Sequence, residues 1–209
     1  MRSILKLSLA LFMAGSVDFA YAQFGGFQGS APRTSIGIEA ATFRVSYEQF
    51  DDFFDSKWGF AWGGHATVRL SSKYNVVVKY RSFDKSELVQ FNDVSQSLDW
   101  EEQWVNVGVR YIRTPNRGVM NFFGFGLSFF NLEGTGVTRI LPATEGTADG
   151  KVNSTGFFLD FGIGYPLFRK TYFLIEVELT SVGIDGSGGF ESSSIGGIYL
   201  GAGLNVFPF

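Results

Sequence analysis

The most constraining feature of this chain is its last stretch, Ile195 to Phe209, which reads IGGIYLGAGLNVFPF. Ile198, Leu200, Ala202, Leu204 and Val206 occupy one phase of a two-residue period, while Tyr199, Gly201, Gly203 and Asn205 occupy the other. That is a strand with one greasy face and one small, polar face. A long apolar strand at a chain end offers an unpaired edge that invites aggregation, and closing the sheet on itself removes the edge. The expectation is a closed barrel in which this strand pairs with the first.

Seven earlier stretches alternate in the same way. Near Thr34 to Tyr47, Ile36, Ile38 and Ala40 oppose Gly37, Glu39 and Ala41, and the phase blurs at Phe43 and Val45, which reads as a bulge. Clearer alternation runs over Phe60 to Leu70, Tyr74 to Arg81, Trp104 to Tyr111, Phe123 to Phe129, Phe157 to Tyr165 and Phe173 to Thr180. Connections are tight at Ser71 to Lys73, Thr114 to Gly118 and Pro166 to Lys170. They are long and polar at Glu48 to Trp58, Asp84 to Asp99, Leu132 to Lys151 and Gly183 to Ser194. All short turns therefore fall at one end. The expected fold is all-β, an eight-stranded antiparallel up-and-down transmembrane β-barrel with short periplasmic turns and long extracellular loops.

Composition agrees. A length of 209 residues suits one domain. Aromatics at 17%, with 24 Phe and 27 Gly, are unusual for a soluble domain. No run approaches the ~18 apolar residues of a membrane helix. With 17 basic residues against 20 acidic ones, net −3, the chain lacks a nucleic-acid footprint. Residues 1–22 carry Arg2 and Lys6, an apolar core from Leu7 to Val17 and a small-x-small site at Ala20-Tyr21-Ala22, the pattern of a cleaved signal peptide. Residues 23–33 read as a flexible lead-in and 34–209 as the barrel domain.

The alternating phases, the loop lengths and the aromatic C-terminus together resemble the small OmpA/OmpX-type eight-stranded outer-membrane barrels, over the whole mature chain. The resemblance implies export to a bacterial outer membrane and contact with its lipid. It also implies recognition by the barrel assembly machinery through the terminal aromatics, here Phe207 and Phe209, with Pro208 a departure next to that signal. Two aromatic girdles are expected. Tyr74, Tyr111, Tyr165 and Phe173 would lie toward the short turns, and Phe60, Trp62 and Tyr80 toward the long loops.

A soluble, lipocalin-like barrel is the competing fold, but its outer phase would meet water. In the fifth, sixth and eighth strands the second phase is mostly Gly and Ser rather than a solvated face. That phase is assigned to the interior. It carries Glu39, Arg69, Lys79, Arg81, Arg110, Asp160, Glu176 and Glu178, four acids and four bases. An eight-stranded interior is only wide enough for side chains to fill, so these charges are expected to pair across the lumen, Arg69 and Lys79 reaching Asp160 and Glu176. Such a cluster is a structural plug of salt bridges or, alternatively, the gate of a narrow channel.

Enzyme chemistry finds little support. His65 is the one histidine, no Gly-x-Ser-x-Gly elbow exists, and the His65 phase points inward rather than toward lipid. With no Cys, and with Asp51, Asp52 and Asp55 off calcium-loop spacing, no metal site and no cofactor is expected. The first long loop mixes Phe50, Phe53, Phe54 and Trp58 with three aspartates. Such residues either present a partner-binding surface or dip into the outer interface. The expected function is a structural or surface-interaction role, adhesion or envelope integrity, through the extracellular loops, with the extracellular partner unnamed by the sequence. A narrow channel is the alternative, and a lipid-modifying enzyme a distant one.

Overall fold

The computed structural model describes residues 34–91, 94–113, 118–135, 149–186 and 190–207. The expected leader, lead-in and Phe209 lie outside them. Eight strands follow in order: β1 (Thr34–Val45), β2 (Trp58–Arg69), β3 (Tyr74–Phe91), β4 (Val94–Arg113), β5 (Met120–Thr135), β6 (Asp149–Phe168), β7 (Thr171–Ile184) and β8 (Ser193–Val206). Every neighbour pair is antiparallel, and β8 returns to β1 with Ile38 opposite Leu204 and Ile36 opposite Val206. The sheet is thus a closed barrel without an edge.

Alternation decides which residues face out. On β5, Phe123, Phe125, Leu127 and Phe129 are exposed and flanked by outward Asn121 and Asn131. Ten residue steps at ~3.3 Å, tilted by ~40°, give a belt about 25 Å tall. Phe60, Leu159, Ile163, Ile175, Leu200 and Leu204 continue it around the barrel. At its rims, Tyr74 meets Tyr111 at 5.6 Å near the short turns, and Trp62 meets Tyr80 at 5.8 Å near the long loops.

Three sequence expectations need correction. No bulge interrupts β1, whose register with β2 and β8 is continuous through Arg44; Phe43 and Val45 keep the inward phase of Glu39 and Ala41 and are buried. What blurred the pattern is a lumen that changes from polar to aromatic toward the long-loop end. The irregularity lies instead in β6, between Pro166 and Phe168, where proline lacks the N–H a ladder needs. Finally, Asp84 to Asp99 is a continuation of β3 and β4, paired down to Phe91 opposite Val94, and β5 and β6 likewise pair as far as Thr135 opposite Asp149. These hairpins carry polar residues on both phases, so sequence alternation could not reveal them.

Candidate functional site

The inward phase near mid-barrel holds one connected cluster of charge. Lys79, fully buried on β3, pairs with Glu176 at 2.5 Å, with Glu178 at 2.8 Å and also with Asp160. Asp160 stands directly opposite Glu178 in the β6–β7 register, so without a cation between them these acids would repel. Arg110 Nη2 donates to Asp160 at 2.6 Å and to Glu176 at 2.9 Å. Arg81 Nη2 donates to Glu39 at 3.0 Å and to Glu176 at 3.1 Å. His65 joins from β2, its Nδ1 2.5 Å from Glu39 Oε1 and its Nε2 3.1 Å from Asn205 Oδ1.

Each cation also lies over an aromatic face. Arg110 sits 4.0 Å from the Phe122 ring centre, Arg81 4.5 Å from Tyr199 and Lys79 5.2 Å from Phe158. Glycines on the inward phase leave the room this needs. A Cβ on Gly124 would collide with Asp160, one on Gly37 with the His65 ring and one on Gly63 with Arg81. The small residues of the sequence pattern are therefore the complement of large charged ones.

Seven of the eight charged residues expected inside meet here. Arg69 does not. It is opposite Asn75, near the short turn, half-exposed and without an ion pair among the described residues, while Lys79 is opposite His65. Counting from the turn placed it wrongly; the place assigned to Arg69 belongs to Arg81 and Arg110. Sequence reasoning also missed Asn106 and Trp104, which donate to Glu178 Oε1 at 2.6 and 3.1 Å. Both share the inward phase of Arg110 and were legible on that ground.

Above the cluster the lumen is shut by an aromatic lid. The first loop folds into a short 3-10 helix, Glu48–Asp52, which turns Phe50, Phe53 and Phe54 inward. Phe50 stacks on Phe54 at 4.4 Å and meets Trp100 edge-on at 5.1 Å. Tyr47 and Phe190 pack on the same indole. Burial raises the Tyr47 phenol pKa, although the Glu191 N–H donates to its oxygen. Of the two readings open for Phe50, Phe53 and Phe54, a partner-binding surface or a dip into the outer interface, neither holds: the hollow above Trp100 takes apolar rings, and burying them there removes them from water. Trp58 behaves differently, beginning β2 on the outward phase with 42% of its surface exposed.

Between lid and cluster, Phe43, Phe83, Trp104, Phe130 and Tyr199 are all buried. Among the described residues no group of His, Cys, Asp and Glu could hold a metal ion.

No family model matches the chain, and neither does any curated protein. Solved structures do. Neisserial surface protein A aligns with 85% of this chain and 99% of its own at 15% identity, TM-score 0.61. Ail, the attachment invasion locus protein of Yersinia pestis, in complex with the heparin analogue sucrose octasulfate, covers 84% of this chain and 99% of its own at 15% identity, TM-score 0.54. OprG from Pseudomonas aeruginosa covers 86% and 98% at 10% identity, TM-score 0.51. The fold is that of the small eight-stranded outer-membrane barrels.

Proposed function

We propose that this protein is an integral barrel of a bacterial outer membrane, exported by a cleaved signal peptide, with a structural or surface-interaction role exercised at its long-loop end. The observation that carries this reading is the combination of a continuous apolar belt outside with a filled, ion-paired lumen inside. A belt of that height suits the lipid, and the short turns then face the periplasm. The β3–β4 and β5–β6 hairpins extend past the belt and offer the surface for a partner, since the first-loop phenylalanines are committed to the lid. Phe207 and Phe209 are the residues the assembly machinery would read.

The outer end is acidic, with Asp51, Asp55, Asp84, Glu87, Asp99 and Glu101 against few lysines. A polyanion of the kind bound to Ail is therefore a poor candidate partner, and a cationic or neutral surface a better one. Channel activity fits less well, because lid and cluster occupy the lumen in series. Enzymatic activity fits least, with His65 held inside between Glu39 and Asn205.

Membrane fractionation with heated and unheated gel lanes tests the reading: the folded barrel should sediment with the outer membrane and migrate faster unboiled. Recovery in the soluble periplasm would sink it, and single-channel conductance in planar bilayers would replace the surface role by the channel.

A further inference from the structure

At the short-turn end the barrel opens into a cavity of about 560 Å3, within the range of small-molecule sites. Among the described residues its wall carries Arg69, Lys73, Arg113, Arg169 and Lys170, and no carboxylate side chain. Arg69 projects inward and is half-buried, and Asn75 beside it is buried. Arg69, Lys73, Arg113 and Arg169 make no ion pair among the described residues, although every cation of the lumenal cluster has several. The asymmetry is built into the sequence: segments 69–75, 111–120 and 164–173 contain Arg and Lys but no Asp or Glu.

Like charges gathered around one concavity repel, and the low-dielectric wall focuses their field into it. Binding an anion relieves both costs together. Arginine forks match phosphate oxygens, and several cations favour a ligand with more than one negative charge.

We propose that this vestibule is a binding site for a polyvalent phosphate group, with Arg69 as its inner anchor and Lys73, Arg113 and Arg169 as its rim. The group is carried either by a soluble phosphate compound or by an anionic phospholipid headgroup of the adjoining leaflet. Only the second source rests on the membrane orientation proposed above; the site itself does not.

The test is calorimetric titration of the refolded full-length barrel in nonionic detergent with inorganic pyrophosphate at low salt. Saturable binding is expected, weakening as sodium chloride is raised. Losing one charge-assisted contact should weaken it about tenfold in Arg69→Gln. Lys151→Gln, at the opposite end, should bind within about twofold of wild type. Unboiled gel mobility verifies folding of each variant. Should Arg69→Gln fail to fold, the exposed rim variants Arg113→Gln and Arg169→Gln carry the same expectation. Repeating the titration in nanodiscs separates the sources. Pyrophosphate binding that persists with the doubly phosphorylated cardiolipin present identifies a soluble ligand, and binding lost with cardiolipin but kept in phosphatidylglycerol of equal total charge identifies the headgroup. No saturable heat with wild type, or folded vestibule variants that bind as wild type, overturns the proposal. Equal weakening by Lys151→Gln does so too, because it would reduce the effect to diffuse charge.

Discussion

Trp104 Nε1 donates a hydrogen bond to Glu178 Oε1 at 3.1 Å, and this contact joins the aromatic packing of the upper lumen to the charge cluster below. The same indole stacks on Phe130 at 5.1 Å and leans on Phe43 at 4.9 Å. A carboxylate that also takes Lys79 and Asn106 thereby fixes the rotamer of the largest side chain above it. Polar and apolar halves of the lumen should respond to mutation as one packed unit.

Lys79→Met should be among the most damaging single changes. It leaves Asp160, Glu176 and Glu178 as neighbouring buried acids short of one cation. Breaking a buried pair in this way costs about 3–5 kcal/mol. Lys151→Met, whose partner Glu133 is partly solvated, should cost less than about 0.5 kcal/mol. Urea unfolding of refolded barrels compares the two, and equal losses would mean that the cluster is hydrated enough to screen its charges.

Double-mutant cycles should separate Arg110 from Arg69. Arg110→Ala and Asp160→Asn remove opposite partners of one contact, so the double variant should lose less than the sum of the singles, by roughly 1–3 kcal/mol. Arg69→Ala combined with Asp160→Asn should be additive within about 0.5 kcal/mol, since the two residues share no contact. Coupling in the Arg69 cycle instead would place that residue in the cluster after all.

Replacing Phe50 with Ala should open the lid without opening the barrel. Phe50 is fully buried against Phe54 and Trp100, and truncating such a ring costs about 3–5 kcal/mol where the site cannot collapse. Because the lid is a loop packed on a closed wall, the loss should first surface as faster proteolysis between Tyr47 and Trp58 and a weakened near-ultraviolet signal from Trp100. Planar-bilayer conductance should stay absent, for the cluster still fills the lumen beneath. Conductance in Phe50→Ala would make the lid the sole barrier and revive the channel reading.

How far the sequence reveals this arrangement depends on which force decides each residue's place. The wall was legible, because outward-facing Phe123, Phe125 and Phe129 alternate with glycines that could serve only a crowded interior. Cluster membership was legible too, since charges on an inward phase have few other places to go. Height along the axis was not: Arg69 is two residues before the Ser71 to Lys73 turn and Lys79 six beyond it, and only the pairing of Lys79 with His65 sets their levels. The fate of Phe50, Phe53 and Phe54 was equally hidden. It depends on Trp100 and Phe190, which strands remote in sequence bring above the lumen. Hairpin extensions with polar residues on both phases leave no period to read.

Glu102 gives the last prediction. It lies on β4 above the apolar belt, outside the membrane-spanning stretch, where its neighbours Glu101 and Gln103 face outward and are polar. Its own side chain is fully buried at the base of the lid and takes a hydrogen bond from Trp100 Nε1 at 3.0 Å; among the described residues it has no cation in ion-pair reach and its Oε2 has no partner. Burial pushes its pKa up from the ordinary 4.5 to about 8, against the smaller opposing effect of the Trp100 and Gly196 N–H groups. Below pH 4.5 folded and unfolded chains both hold the proton, so Glu102 adds no pH dependence there. Between about 4.5 and 8 the unfolded chain has released it and the folded chain has not. The folded state then binds more protons, and stability must fall as pH rises across that window before levelling off. Glu102→Gln keeps the shape and the acceptor for Trp100 but cannot ionise. Its stability advantage over wild type should grow from pH 5 to pH 8 in parallel urea titrations, where contributions from all other groups cancel in the difference. A constant difference across that range would show that Glu102 is ionised in the folded barrel, with a cation or water reaching it beneath the lid.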